Sequence, residues 1–181
     1  MNQFSKVVAA CLLTASIFST AFAAQDVPAG AKYEIGFSPN AGALDAVIKV
    51  INSSKSQILV AAYSFTSKPV ATALLAAHNR GVKVFVVADQ KDNQKQYSAT
   101  TFLANQGVPV RLNGHYQIFH HKFMVSDGVN VELGSFNYSA AAADKNAENV
   151  LVLWNVKPIA DAYSSEWKRL WDEATPLEKA F

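Results

Sequence analysis

Apolar residues recur along the chain with two periods, and the switches between them lay out the elements. KYEIGFS (32–38) alternates as a strand does. ALDAVIKVINSSK (43–55) repeats at helical spacing and places Leu44, Val47, Ile48 and Ile51 on one face. QILVAAYSF (57–65) is an apolar strand, after which Ser67 and Pro69 suit the first turn of a helix, PVATALLAAHNR (69–80), closed by Gly81. VKVFVVAD (82–89) is a third strand, bounded by the polar loop QKDNQKQ (90–96). A shorter helix, YSATTFLANQ (97–106), ends at Gly107 before the fourth strand, VPVRLNG (108–114).

Beyond this point the pattern changes. YQIFHHKFMVSDG (116–128) and VNVELGSFNYS (129–139) are strand-like runs that meet at Asp127-Gly128, a hairpin turn signal. AENVLVLW (147–154) adds a strand, and PIADAYSSEWKRLWDEA (158–174) a closing amphipathic helix. The alternating first half with a hairpin in the second predicts an α/β fold. Its central sheet is mixed and largely parallel, with helices on both faces.

The first residues stand apart from this scheme. MNQFSK is short and positive, VVAACLLTASIFSTAFA is apolar, and Ala21-Phe22-Ala23 is a small-x-small cleavage site. Residues 1–23 therefore read as a secretory signal peptide, and 24–181 as one domain. The expected location is the periplasm or the medium, with no stable membrane association once the signal is cleaved. The only cysteine, Cys11, leaves with the signal, which excludes a thiol nucleophile and cysteine-ligated zinc. Half the residues are apolar and 17% are charged, as in a globular protein. The 16 basic residues include Lys6 of the leader and face 14 acidic ones, so charge alone does not announce nucleic acid.

Chemistry concentrates in FHHKFMVSDG (119–128). Strand alternation puts His120 and Lys122 on one face and His121 on the other. With a two-residue Asp127-Gly128 turn, Ser126 pairs with Val129 and His120 lies opposite Ser135. Slipping by two residues sets His120 against Asn137 and Lys122 against Ser135. Either register gathers an imidazole, an ammonium, a hydroxyl and an amide on one face, a set suited to a phosphate. Glu148 begins the next strand, where a carboxylate is placed to hold the other imidazole nitrogen. His115, His120 and His121 taken as a metal set lack a carboxylate or thiolate partner at ligand spacing, and no metal or other cofactor is expected. His78 reads as structural, and Trp154, Trp167 and Trp171 as core or interface. Lys91 and Lys95, with Tyr97 beside them, are a solvated loop with phosphate-backbone contact as the alternative.

HHKFMVSD carries His-x-Lys-x4-Asp at His120, Lys122 and Asp127, followed by GSFNYS and NAEN. This resembles the phospholipase D superfamily, most closely its small secreted single-motif bacterial endonucleases of the Nuc type. The resemblance implies a metal-independent phosphodiesterase that cleaves nucleic acid (DNA, with RNA open) through a phosphohistidine. It makes His120 the nucleophile or acid, Lys122, Ser135 and Asn137 the phosphate ligands, and Glu148 the orienter of histidine. Asp127 completes the catalytic motif, although alternation turns its side chain to the other face, where it supports the turn or a dimer. Two histidines are needed and one chain carries a single His-x-Lys setting, so a homodimer sharing one site is expected. A lipid phosphodiesterase or phosphatidyltransferase is the alternative, followed by a nucleic-acid-binding protein without turnover.

Overall fold

The computed structural model describes residues 24–94 and 98–179. The expected signal peptide lies outside the described residues, as do Lys95 and Tyr97 of the loop read as solvated, with phosphate-backbone contact as the alternative. Strands β1 (Lys32–Ser38), β2 (Gln57–Ala62), β3 (Lys83–Asp89) and β4 (Val110–Asn113) fall within the segments read as strands. Between them run α1 (Ala43–Ser53), α2 (Lys68–Asn79), a short α3 (Gln90–Asn93) and α4 (Ala99–Asn105). The second half holds β5 (Lys122–Ser126), β6 (Asn130–Gly134), α5 (Ala140–Asp144), β7 (Glu148–Trp154), α6 (Lys157–Asp172) and a two-residue β8 (Thr175–Pro176). Three of these elements, α3, α5 and β8, are too short to show a period and were not expected.

The eight strands form one mixed sheet in the order β1-β7-β6-β5-β2-β3-β4-β8. Five strands (β1, β2, β3, β4 and β6) share a direction, yet parallel pairing is confined to β2-β3-β4. Every other ladder is antiparallel, so the parallel part is narrower than expected. The reason is local: β5, β6 and β7 pair antiparallel with one another and stand between β1 and β2, sending β1 to the edge.

Two cores flank the sheet, and alternation along each strand decides which core a residue joins. Ile58, Val60 and Ala62 of β2 pack toward α1, α2 and α4, whereas Leu59 and Ala61 pack toward α6. Ser67 caps α2, its hydroxyl accepting from Val70 N at 3.4 Å, with Pro69 in the first turn. The buried stripe of α1 is Ala43, Ala46, Val47, Val50 and Ile51, rotated from the expected face, with Leu44 and Ile48 only partly buried. Gly36 explains the rotation: a Cβ there would lie 2.6 Å from Gly42 O, so its absence lets the start of α1 settle onto β1.

Candidate active site

The β5–β6 hairpin departs from both expected registers. Asp127 and Gly128 adopt left-handed conformations (φ 55° and 67°), and Val129 N donates to Ser126 O at 3.2 Å. Ser126 nonetheless pairs with Asn130 rather than Val129, so the connection is three residues long. That one-residue difference flips parity. Extended along the ladder, it would set Ser135 on the face opposite Lys122.

The site converges for another reason. Strand β6 ends at Gly134, where a Cβ would come within 2.1 Å of Asn149 O, so only glycine permits this approach to β7. Past Gly134 the chain leaves the ladder and swings Ser135 and Asn137 to the edge where β5 begins. His120, Lys122, Gly134, Ser135, Asn137 and Glu148 line one open cavity of about 420 Å³.

The strand expected from residue 116 starts only at Lys122. The chain before it crosses the end of the sheet, pinned where Phe119 N donates to Asp89 Oδ2 at 2.9 Å. His120 and His121 are nevertheless turned to opposite sides. The His120 ring enters the cavity and lies 4.9 Å from the Tyr63 ring, inclined at 57°. His121 sits between the rings of Phe119 and Phe123, with Glu166 Oε1 at 3.7 Å from its Nε2. Burial lowers the His121 pKa against the opposing pull of Glu166. His115 packs instead against Tyr116, and among the described residues no group of three or more metal-binding side chains occurs.

Lys122 is 9% exposed. Its ammonium donates to His120 O at 2.9 Å and stands 5.1 Å from the centre of the Tyr63 ring. Burial lowers its pKa, and the charge of Glu148 pulls it back up. Glu148 does not meet His120 within the chain. Its Oε2 accepts from Ser135 Oγ at 2.5 Å and its Oε1 from Asn146 Nδ2 at 2.9 Å. Ser135 Oγ in turn accepts from Asn149 N at 3.1 Å. Asn137 lines the cavity with its Oδ1 buried and without a hydrogen-bond partner among the described residues.

Asp127, counted among the catalytic residues through the motif, does not line the cavity. It lies at the other end of β5, where its carboxylate accepts from the backbone N–H groups of Lys55, Ser56 and Gln57 and from Ser56 Oγ, at 2.7–3.1 Å. Burial works to raise its pKa, but these bonds prevail and lower it. The motif aspartate is a brace between its own turn and the α1–β2 connection. Tyr63, beside the site, escaped the sequence reading because it looks like the tail of an apolar strand; Gly134 opens the GSFNYS run, but its close approach to β7 depends on a distant partner.

Residues 47–171, which include every cavity residue, match the family model described as "Cardiolipin synthase, PLD-like domain". The chain belongs to the phospholipase D superfamily.

Relatives within the superfamily include a phospholipase D of Rickettsia felis, 31% identical over 131 residues that cover 72% of this chain. A mitochondrial cardiolipin hydrolase of Xenopus tropicalis is 36% identical over 119 residues, 66% of this chain. The chain spans 65% of the length of the first and 56% of the second. Among solved structures, the phospholipase D family member Nuc from Salmonella typhimurium superposes with a TM-score of 0.80 at 36% identity. That match covers 82% of this chain and 99% of Nuc. NucT from Helicobacter pylori shares the fold, with a TM-score of 0.73 at 24% identity over 81% of this chain and 99% of NucT. The superfamily fold, a mixed sheet between helices, is thus present over nearly the whole length of these two small proteins.

Proposed function

We propose that this protein is an exported, metal-independent phosphodiesterase that cleaves nucleic acid with little sequence preference. The observation that carries the reading is the convergence of His120, Lys122, Ser135, Asn137 and Glu148 on one open cavity. A site built around phosphate holds the part of a nucleic acid common to every sequence, so it carries no base code. His120 attacks phosphorus, the P–O bond to the leaving nucleotide breaks, and a phosphohistidine forms. Lys122 and the donors around it stabilise the charge on the non-bridging oxygens. A second imidazole protonates the leaving oxygen, then takes a proton from the water that releases the product.

That second imidazole has to reach the phosphorus from the far side, and His121 is turned away toward Glu166. A second copy of the chain, related by a two-fold axis beside the cavity, supplies it as its own His120. An uncovered apolar face supports this arrangement. Tyr33, Ile35 and Phe37 of β1 are 70%, 56% and 54% exposed, and the strand ends at Ser38, opposite Glu148.

The names of the phospholipase D and cardiolipin hydrolase relatives favour a second reading, a lipid phosphodiester as substrate. Purified protein incubated with plasmid DNA, with RNA and with cardiolipin or phosphatidylcholine vesicles, each with and without EDTA, separates the two. Nicking of DNA that persists in EDTA supports the nuclease. Turnover of vesicles alone replaces it with the lipid enzyme, and activity abolished by EDTA and restored by one metal overturns the mechanism.

A further inference from the structure

The end of β3 and the polar segment that follows it, which reads as a solvated loop, each hold one deeply buried residue, a helical turn apart. Asp89 is 3% exposed and Asn93 is fully buried. Hiding a carboxylate and an amide is unfavourable unless their bonds are made, and here all are. Asp89 Oδ1 accepts from Asp92 N at 2.8 Å and Oδ2 from Phe119 N at 2.9 Å. Asn93 Nδ2 donates to Tyr63 O at 2.6 Å and to Asp89 O at 2.8 Å, while its Oδ1 accepts from Phe65 N at 3.1 Å.

The two side chains therefore tie together the chain leaving β2 at Tyr63 and the chain entering β5 just before His120. The first of these segments carries Tyr63, and the second leads into the cavity residues His120 and Lys122. The Tyr63 ring lies 4.9 Å from the His120 ring, and the Lys122 ammonium is 5.1 Å from the centre of that same Tyr63 ring. Lys122 also donates to His120 O at 2.9 Å. An inclined aromatic contact restricts rotation of the imidazole, and the ring face attracts the ammonium. Among the described residues His120 has no other ring contact, and its imidazole has no carboxylate partner.

We propose that Tyr63 is the positioning residue for His120 and Lys122, and that Asp89 and Asn93 form the buried clamp that sets it. The inference rests on the reading of His120 as the reacting group. The ring of Tyr63, rather than its hydroxyl, does the positioning. A misplacement of the reacting group by about 1 Å costs on the order of a hundredfold in rate, so the effect belongs in kcat.

The test measures steady-state hydrolysis of bis(p-nitrophenyl) phosphate by Tyr63→Phe, Tyr63→Leu and Asn93→Ala, with His120→Ala as control and thermal melting of each. Tyr63→Phe is expected to keep kcat within about twofold, and Tyr63→Leu to lower it by about ten- to a hundredfold with KM and melting temperature little changed. Asn93→Ala, where folded, is expected to lower kcat in the same way, and the double variant to be no worse than the weaker single one. Wild-type kcat in folded Tyr63→Leu overturns the proposal. So does a loss confined to KM or to melting temperature, or an equal loss in Tyr63→Phe. Turnover retained by His120→Ala refutes the reading of the site itself, and is recognised independently of the Tyr63 result.

Discussion

Ser135 Oγ donates to Glu148 Oε2 at 2.5 Å, joining the residue after β6 to the first residue of β7. The carboxylate expected on the imidazole of His120 is, within one chain, committed to the Ser135 hydroxyl and to the charge balance of Lys122. Glu148→Gln keeps the shape and removes the charge that raises the Lys122 pKa against burial. The ammonium then loses its proton at lower pH, so the alkaline limb of the kcat/KM profile is expected to move to lower pH. The loss at neutral pH is expected to be about ten- to a hundredfold. A profile measured between mildly acidic and strongly alkaline pH checks both, and an unmoved alkaline limb contradicts the coupling.

The two adjacent histidines are expected to separate cleanly. His120→Ala should abolish turnover in a protein that melts normally, whereas His121→Ala should cost less than about tenfold, because its ring faces Glu166 and two phenylalanines. Equal losses in two folded variants would remove His120 from its role.

A shared site makes the inactive variant interfere with the active one. Wild-type protein equilibrated with excess His120→Ala is expected to fall below the activity of the same wild type diluted in buffer, since a mixed dimer holds one imidazole where two are needed. Sedimentation velocity at assay concentration should show a dimer. Additive activities, or a fully active monomer, would refute the shared site.

Asp127 should behave as a stability residue. Asp127→Asn weakens three backbone bonds and is expected to destabilise the fold by about 1–3 kcal/mol while leaving kcat of folded enzyme near wild type. Its folded pKa is depressed, so its contribution is present above the unfolded value of about 4 and fades as pH falls through the folded value. Urea denaturation of both proteins at neutral and at acidic pH should show the gap closing in acid.

Glu132 titrates in the opposite sense. It is fully buried, Tyr138 OH donates to it at 2.7 Å, and burial pushes its pKa up to about 8 against that bond. Between the unfolded value near 4.5 and about 8, the native state holds a proton the unfolded chain has lost, so this residue's stabilisation declines as pH rises. Glu132→Gln, neutral throughout, should flatten that decline and melt several degrees higher than wild type at pH 8 relative to their difference at pH 5. Parallel melting curves across this range would show that Glu132 does not titrate there.

Much of this protein is legible in the chain alone, because period and turn chemistry are local properties. The alternation of residues 32–38, the apolar run of 57–62, the capped helix after Ser67 and the Asp127-Gly128 turn need no distant partner to be read. The division of His120 from His121 follows from extended backbone geometry, which turns neighbours to opposite sides whether or not a ladder has begun. What tertiary structure decided is where segments far apart in sequence meet. A third residue in the hairpin connection reverses the face of everything beyond it, and the close approach of Gly134 to Asn149 brings Ser135 back. Burial of Asp89 and Asn93 depends on segments more than twenty residues away, so these two polar residues become interior beside Lys91 and Gln94, which stay exposed. The motif alternation places Asp127 off the histidine face, but only packing against Ser56 reveals what it holds. Local sequence sets which way a side chain can point; the long-range contacts set what it meets there.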